Sequence, residues 1–185
     1  MKLFTKSMLG VALVMALNFD ANALSITPAT PSIMTFSSPS QSVIDNQIKA
    51  YFNPDPTLAY KQNVGGSEEG LFASSYSTAF FNTPSDPADA TISYISGPKI
   101  TAQDIYLLVK DGNHNPTGYL FDISSWNGWE NLVLTKFWPA QGAISHVSIY
   151  TRGNAPAPVP DGGATLMLLG IGLSGLAAVR RRFVS

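Results

Sequence analysis

The sequence predicts an all-β domain, a β-sandwich or jelly roll, flanked by two terminal segments that do not belong to it. Several short runs alternate apolar and polar residues and are separated by clusters of turn-forming residues, which is typical of antiparallel strands. Charged residues make up only 12% of the chain, against about 25% in an average soluble domain. Neutral polar residues must therefore cover much of the surface, as suits an extracellular β protein.

The first 23 residues have the three parts of a secretory signal peptide. Two lysines precede an apolar run from Met8 to Leu17, and the small-residue sequence Ala21-Asn22-Ala23 follows. The alternative is a short membrane anchor, but the run is too short to cross a hydrocarbon core about 30 Å thick. We expect residues 1–23 to be removed by cleavage after Ala23.

Residues 24–154 are predicted to form one domain of about 131 residues, a length that buries roughly two-thirds of the unfolded surface. Its first half is the less regular. The segment Ser42 to Phe52 suits a short helix or an irregular strand, and the glycine-rich segment 65–70 suits a flexible loop. Leu71 to Phe81 is expected to form a strand pair or one long strand.

The second half carries the clearest strand patterns. They are Thr91–Ser96, Asp104–Lys110, Tyr119–Ile123, Leu132–Thr135 and Ala143–Tyr150. In the second of these, Ile105, Leu107 and Val109 fall on one face by the two-residue period of a strand. The turn-forming residues 110–118 predict a hairpin with a long loop.

The end of the sequence differs in composition from the domain. Residues 155–163 begin with a Pro/Ala linker, which is extended and semi-rigid. The uncharged apolar residues 164–179 are predicted to form a transmembrane helix of about 24 Å, a marginal length for a bilayer. Residues 180–185 contain Arg180, Arg181 and Arg182, which the positive-inside rule places in the cytoplasm.

A short motif precedes this helix and reads Val159, Pro160, Asp161, Gly162 and Gly163. The motif, the helix and the arginine cluster together resemble the PEP-CTERM sorting signals that exosortases recognise in Gram-negative bacteria producing extracellular polysaccharide. The motif departs from Pro-Glu-Pro and is similar to the V-P-D-[GS]-G variant class. The resemblance implies export across the inner membrane, transient anchoring, cleavage near the motif by an exosortase, and a cell-surface or extracellular destination.

Charge and composition exclude several classes of partner and cofactor. The chain has no cysteine, which excludes disulfides, zinc ribbons and iron–sulfur clusters. Residues 24–158 contain six basic and ten acidic residues, a net charge of about −4. Such a surface has no clustered basic face for nucleic acid. We expect no nucleic-acid partner and no cofactor.

One loop superficially resembles a calcium site. Asp111, Asn113 and Asn115 stand at alternate positions, and Asp122 follows eleven residues after the first. However, Pro116 stands where an EF-hand needs glycine, and an aspartate replaces the bidentate glutamate. A hairpin loop built from turn-forming residues is the better interpretation.

The two histidines, His114 and His146, have no second histidine at metal-ligand spacing. We expect His146 to lie on the polar face of its strand or to form a hydrogen bond within the sheet. There is no G-x-S-x-G motif, and the adjacent pair Glu68 and Glu69 lies in a glycine-rich loop. We therefore expect no metal site and no enzymatic activity.

The tryptophans offer two interpretations. Exposed aromatic rings on a β-sandwich bind the apolar faces of sugars, and Trp126 and Trp129 lie in a turn where they could do so. The three tryptophans could instead pack in the core, and this interpretation is the favoured one, most strongly for Trp138 beside Phe137. Two hypotheses follow: a structural protein of the cell surface or extracellular matrix, associated with exopolysaccharide or biofilm, or a carbohydrate-binding module that uses Trp126 and Trp129.

Overall fold

The computed structural model describes residues 23–81, 87–112, 114–138 and 143–153. Several predicted features lie outside these residues. At the start of the chain they are residues 1–22 of the signal peptide, including Ala21, and in the loop compared with a calcium site the residue is Asn113. At the end they are the linker with the motif Val159–Gly163, the helix 164–179 and the cluster Arg180–Arg182. Ala23, after which cleavage is predicted, is the first described residue.

Ten strands and one α-helix account for most of the described residues. The strands are β1 (Ala23–Ile26), β2 (Met34–Phe36), β3 (Thr57–Asn63), β4 (Glu68–Glu69), β5 (Tyr76–Phe81), β6 (Asp89–Tyr94), β7 (Asp104–Asp111), β8 (Gly118–Asp122), β9 (Asn131–Leu134) and β10 (Ile144–Arg152). The helix α1 (Gln41–Tyr51) follows β2, and a 3₁₀ turn (Ala73–Ser75) precedes β5.

The strands form two sheets. The smaller has the order β1-β9-β6-β5, in which β1 lies parallel to β9 and the other pairs are antiparallel. The larger has the order β2-β8-β7-β10-β3-β4 and is antiparallel throughout. The all-β fold class is thereby confirmed at the level of two sheets with one helix.

The central strand β7 explains how the layers are arranged. Its residues from Ile105 to Asp111 are all buried. Leu107 and Val109 face the core between the sheets, as the alternating pattern predicts, whereas Tyr106 and Leu108 belong to a second apolar cluster on the opposite face. A strand covered on both faces carries a continuous apolar run, because neither face meets water.

Helix α1 covers that second face. Ile44 and Ile48, one turn apart, are buried in the cluster with Leu108 and Leu120. The helical alternative for residues 42–52 is therefore confirmed. This helix has 11 residues, and within the described ranges no helix has the length and apolarity needed to cross a membrane.

The predictions for two segments have different outcomes. The hairpin over residues 104–123 is confirmed, since β7 and β8 pair with Lys110 opposite Gly118. The segment Leu71–Phe81 is neither a strand pair nor one long strand, because the 3₁₀ turn occupies its start and only β5 is extended. Gly70, at φ +101°, precedes this turn and lies against the backbone of Ala59.

Candidate functional site

Trp126 belongs to the core of the sandwich. Its side chain is only 3% exposed, and its ring packs against Tyr76 with centroids 5.7 Å apart. The indole Nε1 donates a hydrogen bond of 2.8 Å to the carbonyl oxygen of Glu130, so its polar group is also satisfied. The favoured core packing is therefore confirmed for Trp126, and the alternative of a two-tryptophan sugar platform is wrong there, because the ring has no free face on which a sugar could stack.

Trp129 is the exposed member of the pair, at 53%. The Asn127 side chain fixes the turn, because its Oδ1 accepts hydrogen bonds from the backbone N–H groups of Trp129 and Glu130 at 2.8 and 3.0 Å. Tyr94 meets the ring edge-on at 4.6 Å, and the Lys99 ammonium lies 5.0 Å from the ring centroid. The arrangement presents one aromatic ring and one cation to solvent.

Trp138 is 8% exposed, which confirms the core interpretation given for it. It contacts Tyr119 and Phe137 at 5.6 Å each, at an edge of the sandwich. Its Nε1 donates a hydrogen bond to the carbonyl oxygen of Pro116 at 2.8 Å. This contact joins the loop after β9 to the loop between β7 and β8.

A cavity of about 560 Å³ opens beside Trp138. Its lining consists of Thr27–Ala29, Asn115, Pro116, Tyr119, Lys136 and Trp138. Sequence reasoning missed Tyr119 and Lys136 as candidate site residues. Three loops that are far apart in the chain form the cavity, and the spacing of residues along the sequence does not predict that these loops lie together.

The loop compared with a calcium site has a different organisation. Asp111 is 4% exposed, and its Oδ2 lies 2.7 Å from Nδ1 of His114. Asp122 accepts hydrogen bonds from the backbone N–H and the hydroxyl of Ser124, next to its own strand. Among the described residues no three His, Asp or Glu side chains come together as a metal site.

His146 is 5% exposed, so its side chain lies away from solvent. Its Nδ1 lies 3.5 Å from Ser145 Oγ, and its Nε2 has no hydrogen-bond partner among the described residues. Burial, followed by the charges of Lys110 and Lys61, lowers the pKa of His146 to about 3. The imidazole is therefore neutral at physiological pH.

Lys110, opposite His146 in the sheet, is also buried, at 6% exposure. Its Nζ donates a hydrogen bond of 3.1 Å to the carbonyl oxygen of Asp111. Burial lowers the pKa of the Lys110 ammonium, partly offset by the Asp111 charge.

The comparison with known families concerns the end of the sequence. A family model described as the VPDSG-CTERM motif matches residues 158–183. This range contains the motif Val159–Gly163, the apolar segment and the arginines 180–182. No curated protein and no solved structure matches the chain. Residues 158–183 are therefore a PEP-CTERM-like sorting tail, a variant of the signal that exosortases recognise, and the chain is an exported protein with a cell-surface or extracellular fate.

Proposed function

We propose that this chain is a structural or interaction protein of the cell surface or extracellular matrix, associated with extracellular polysaccharide. The observation that supports this role is the sorting tail at residues 158–183. The weakly charged surface and the two-sheet domain fit a protein that acts through its folded surface. The proposed role requires no catalytic step, and we propose that the domain is not an enzyme.

We further propose a sequence of processing steps. Residues 1–23 direct export and are removed after Ala23. The segment 164–179 then holds the protein in the inner membrane with residues 180–182 in the cytoplasm, until an exosortase cuts near Val159–Gly163. The membrane anchor is thus transient.

The ends of the domain are compatible with both cuts. The strand β1 pairs with β9 through residues 23–26, so cleavage after Ala23 leaves Leu24, Ser25 and Ile26 for the sheet. At the other end β10 is paired on both sides, with β7 and β3. Its last residue, Arg152, binds Asp104 at 2.8 Å. Removal of the tail therefore leaves every described strand in place.

Mass spectrometry of secreted protein tests this proposal in cells with and without an intact exosortase. We expect a product that begins at Leu24 and ends near residues 159–163 in the first strain, and a product that retains 164–185 in the second. Asp161→Ala should reduce processing in the first strain, whereas Asp55→Ala, at an exposed acidic residue of the domain, should not. Retention of residues 164–185 in both strains would show a permanent anchor instead.

The exposure of Trp129 favours a second candidate, a carbohydrate-binding role centred on this ring alone. Trp126 and Trp138 are buried, so an aqueous quencher should act mainly on the fluorescence of Trp129. If the ring binds sugar, exopolysaccharide from the producing strain should protect this fluorescence, and Trp129→Phe should abolish the protected signal. Unchanged quenching at saturating polysaccharide would exclude this second role.

A further inference from the structure

We propose that the cavity lined by Thr27–Ala29, Asn115, Pro116, Tyr119, Lys136 and Trp138 binds one acidic sugar unit, a hexuronate of an anionic polysaccharide. The ring of Tyr119 would stack on the apolar face of the sugar, and the Lys136 ammonium would pair with the sugar carboxylate. This inference specifies the polysaccharide association proposed above and places it away from Trp129.

The cavity has the size and position of a ligand site. Its volume of about 560 Å³ falls within the roughly 300–1,000 Å³ of small-molecule sites. Its walls come from the segment after β1, the loop between β7 and β8, and the segment after β9. These strands belong to different sheets, so the cavity opens at an edge of the sandwich, where a rigid scaffold carries loops.

Hydrogen bonds hold the three segments in fixed positions. The Trp138 indole binds the Pro116 carbonyl at 2.8 Å, and the backbone N–H of Thr135 binds the Ile26 carbonyl at 3.1 Å. The Lys136 N–H donates to Asp89 Oδ1 at 2.7 Å. A site fixed before binding loses little conformational freedom when its ligand arrives.

The backbone of the third segment is strained. Lys136 has φ +62° and Trp138 has φ +47°, a region that residues with a Cβ rarely adopt. These are the two non-glycine residues with positive φ in the described part of the chain, and both line the cavity. Strain of this kind persists where surrounding contacts enforce it, and it concentrates at ligand sites.

The aromatic wall matches the apolar face of a sugar. Tyr119 is half-buried, and its ring is fixed by Phe121, Phe137 and Trp138 at centroid distances of 5.6 to 6.0 Å. Burial raises the pKa of its hydroxyl, which stays protonated. None of the described residues forms a hydrogen bond with that hydroxyl, so it is available to a ligand hydroxyl.

The polar groups define the rest of the ligand. The Lys136 side chain is exposed, and none of the ion pairs among the described residues includes it. A single cation beside an aromatic wall favours a ligand with an apolar face and one carboxylate. The Thr27 hydroxyl, the Asn115 amide and the Tyr119 hydroxyl add polar groups around the cavity. A uronate, with hydroxyls around its ring, fits this set better than a flat aromatic acid.

Calorimetric titration of the purified, secreted mature protein tests the inference with three probes: an oligogalacturonate, the matching neutral galactose oligomer and benzoate. We expect the oligogalacturonate to bind most tightly. Lys136→Asn removes the charge and keeps a residue that tolerates positive φ. This variant should weaken oligogalacturonate binding about tenfold, because it loses one charge-assisted contact. Its affinity for the neutral oligomer should change less than about twofold. Tyr119→Phe should weaken binding of both oligomers.

Lys99→Gln is the matched control, because it removes a cation beside Trp129 and leaves the cavity intact. Equal binding of oligogalacturonate by the Lys136→Asn variant and the unmodified chain would overturn the proposal, as would equal losses in Lys136→Asn and Lys99→Gln. No binding of oligogalacturonate at all, or tighter binding of benzoate, would also overturn it. Failure here leaves exosortase processing unaffected, so the two proposals fail separately.

Discussion

His146 is a neutral residue in a position that penalises its charged form. In the unfolded chain an imidazole takes up a proton below a pKa of about 6.5, whereas burial holds the pKa of folded His146 at about 3. Between these values protons bind preferentially to the unfolded chain. The free energy of unfolding must therefore fall as the pH falls through this window, by an amount on the order of 3 kcal/mol at pH 4.

The substitution His146→Leu removes this proton-binding group. Urea unfolding of both proteins at pH 7 and pH 4 should show that the variant loses less stability on acidification than the unmodified chain. The carboxylates titrate in both proteins, so the difference isolates the histidine. If both proteins lose the same stability between pH 7 and pH 4, the pKa of His146 in the folded protein is not lowered.

Gly128 is a second residue whose local geometry has a measurable consequence. It has φ +80°, and a Cβ there would lie 2.5 Å from the carbonyl oxygen of Ile100. The Tyr76 hydroxyl joins the same two segments, because it donates to the Gly128 carbonyl at 2.9 Å and accepts from the Ile100 N–H at 2.8 Å. The side chain of this tyrosine therefore fixes the turn that carries Trp126 and Trp129.

We expect Gly128→Ala to destabilise the domain by more than about 2 kcal/mol, through backbone strain and the clash together. Gly65→Ala is the matched control, since Gly65 has φ +72° and a methyl group there would meet no atom within 4 Å. Its cost should be the strain alone, about 1 kcal/mol. Thermal unfolding of the two variants measures both effects, and similar losses would remove the carbonyl clash as the cause.

At the level of elements, helix α1 depends on its contact with the outer face of β7. Its buried positions are Ile44 and Ile48, whereas Val43 is 40% exposed and Tyr51 is 57% exposed. The spacing of Ile44, Ile48 and Tyr51 fits one face of a helix, but only the first two are buried. The sequence pattern by itself therefore left a helix and an irregular strand open. The apolar surface of the sheet selects the helix, since Tyr106, Leu108 and Leu120 need cover.

Ile44→Ala should cost about 2–5 kcal/mol, because it leaves a cavity between α1 and the sheet. The neighbouring substitution Val43→Ala, on the exposed side of the same helix, should change stability by less than about 0.5 kcal/mol. Denaturant titration gives both values. A small loss for Ile44→Ala would mean that the helix adds little to the domain.

At the level of the whole molecule, the two apolar clusters share one strand. Leu107 and Val109 belong to the cluster between the sheets, and Tyr106 and Leu108 to the cluster under α1. If β7 detaches from either cluster, apolar residues of the other cluster also become exposed. The domain should therefore unfold as one cooperative unit.

Calorimetry of the secreted mature protein should give a single transition, with a calorimetric enthalpy equal to the van't Hoff enthalpy. A reducing agent should not shift it, because the chain has no cysteine. Two resolved transitions, one of which disappears in Ile44→Ala, would show that α1 and its cluster melt separately.

The sorting tail and most strands of the second half follow from contiguous residues alone. The tail is recognised from the motif within residues 158–183. Strands such as β7 have apolar residues at every second position, a pattern that neighbouring residues alone display. Strands β1, β2, β3 and β4 were not predicted, and β4 lies within the segment 65–70 that was expected to be a flexible loop. Strands β1 and β2 are short. In addition, the pairing partners of β1 and β3 lie far along the chain, since β1 pairs with β9 and β3 pairs with β10.

Tertiary packing alone selects the aromatic rings that meet solvent and the place where a ligand could bind. Trp126 and Trp129 stand three residues apart in one turn, yet one is in the core and the other is exposed. The cavity beside Tyr119 and Lys136 exists because three distant loops converge at an edge of the sandwich. Burial and convergence are properties of the packed sheets, whereas a sorting motif or a strand period is a property of neighbouring residues.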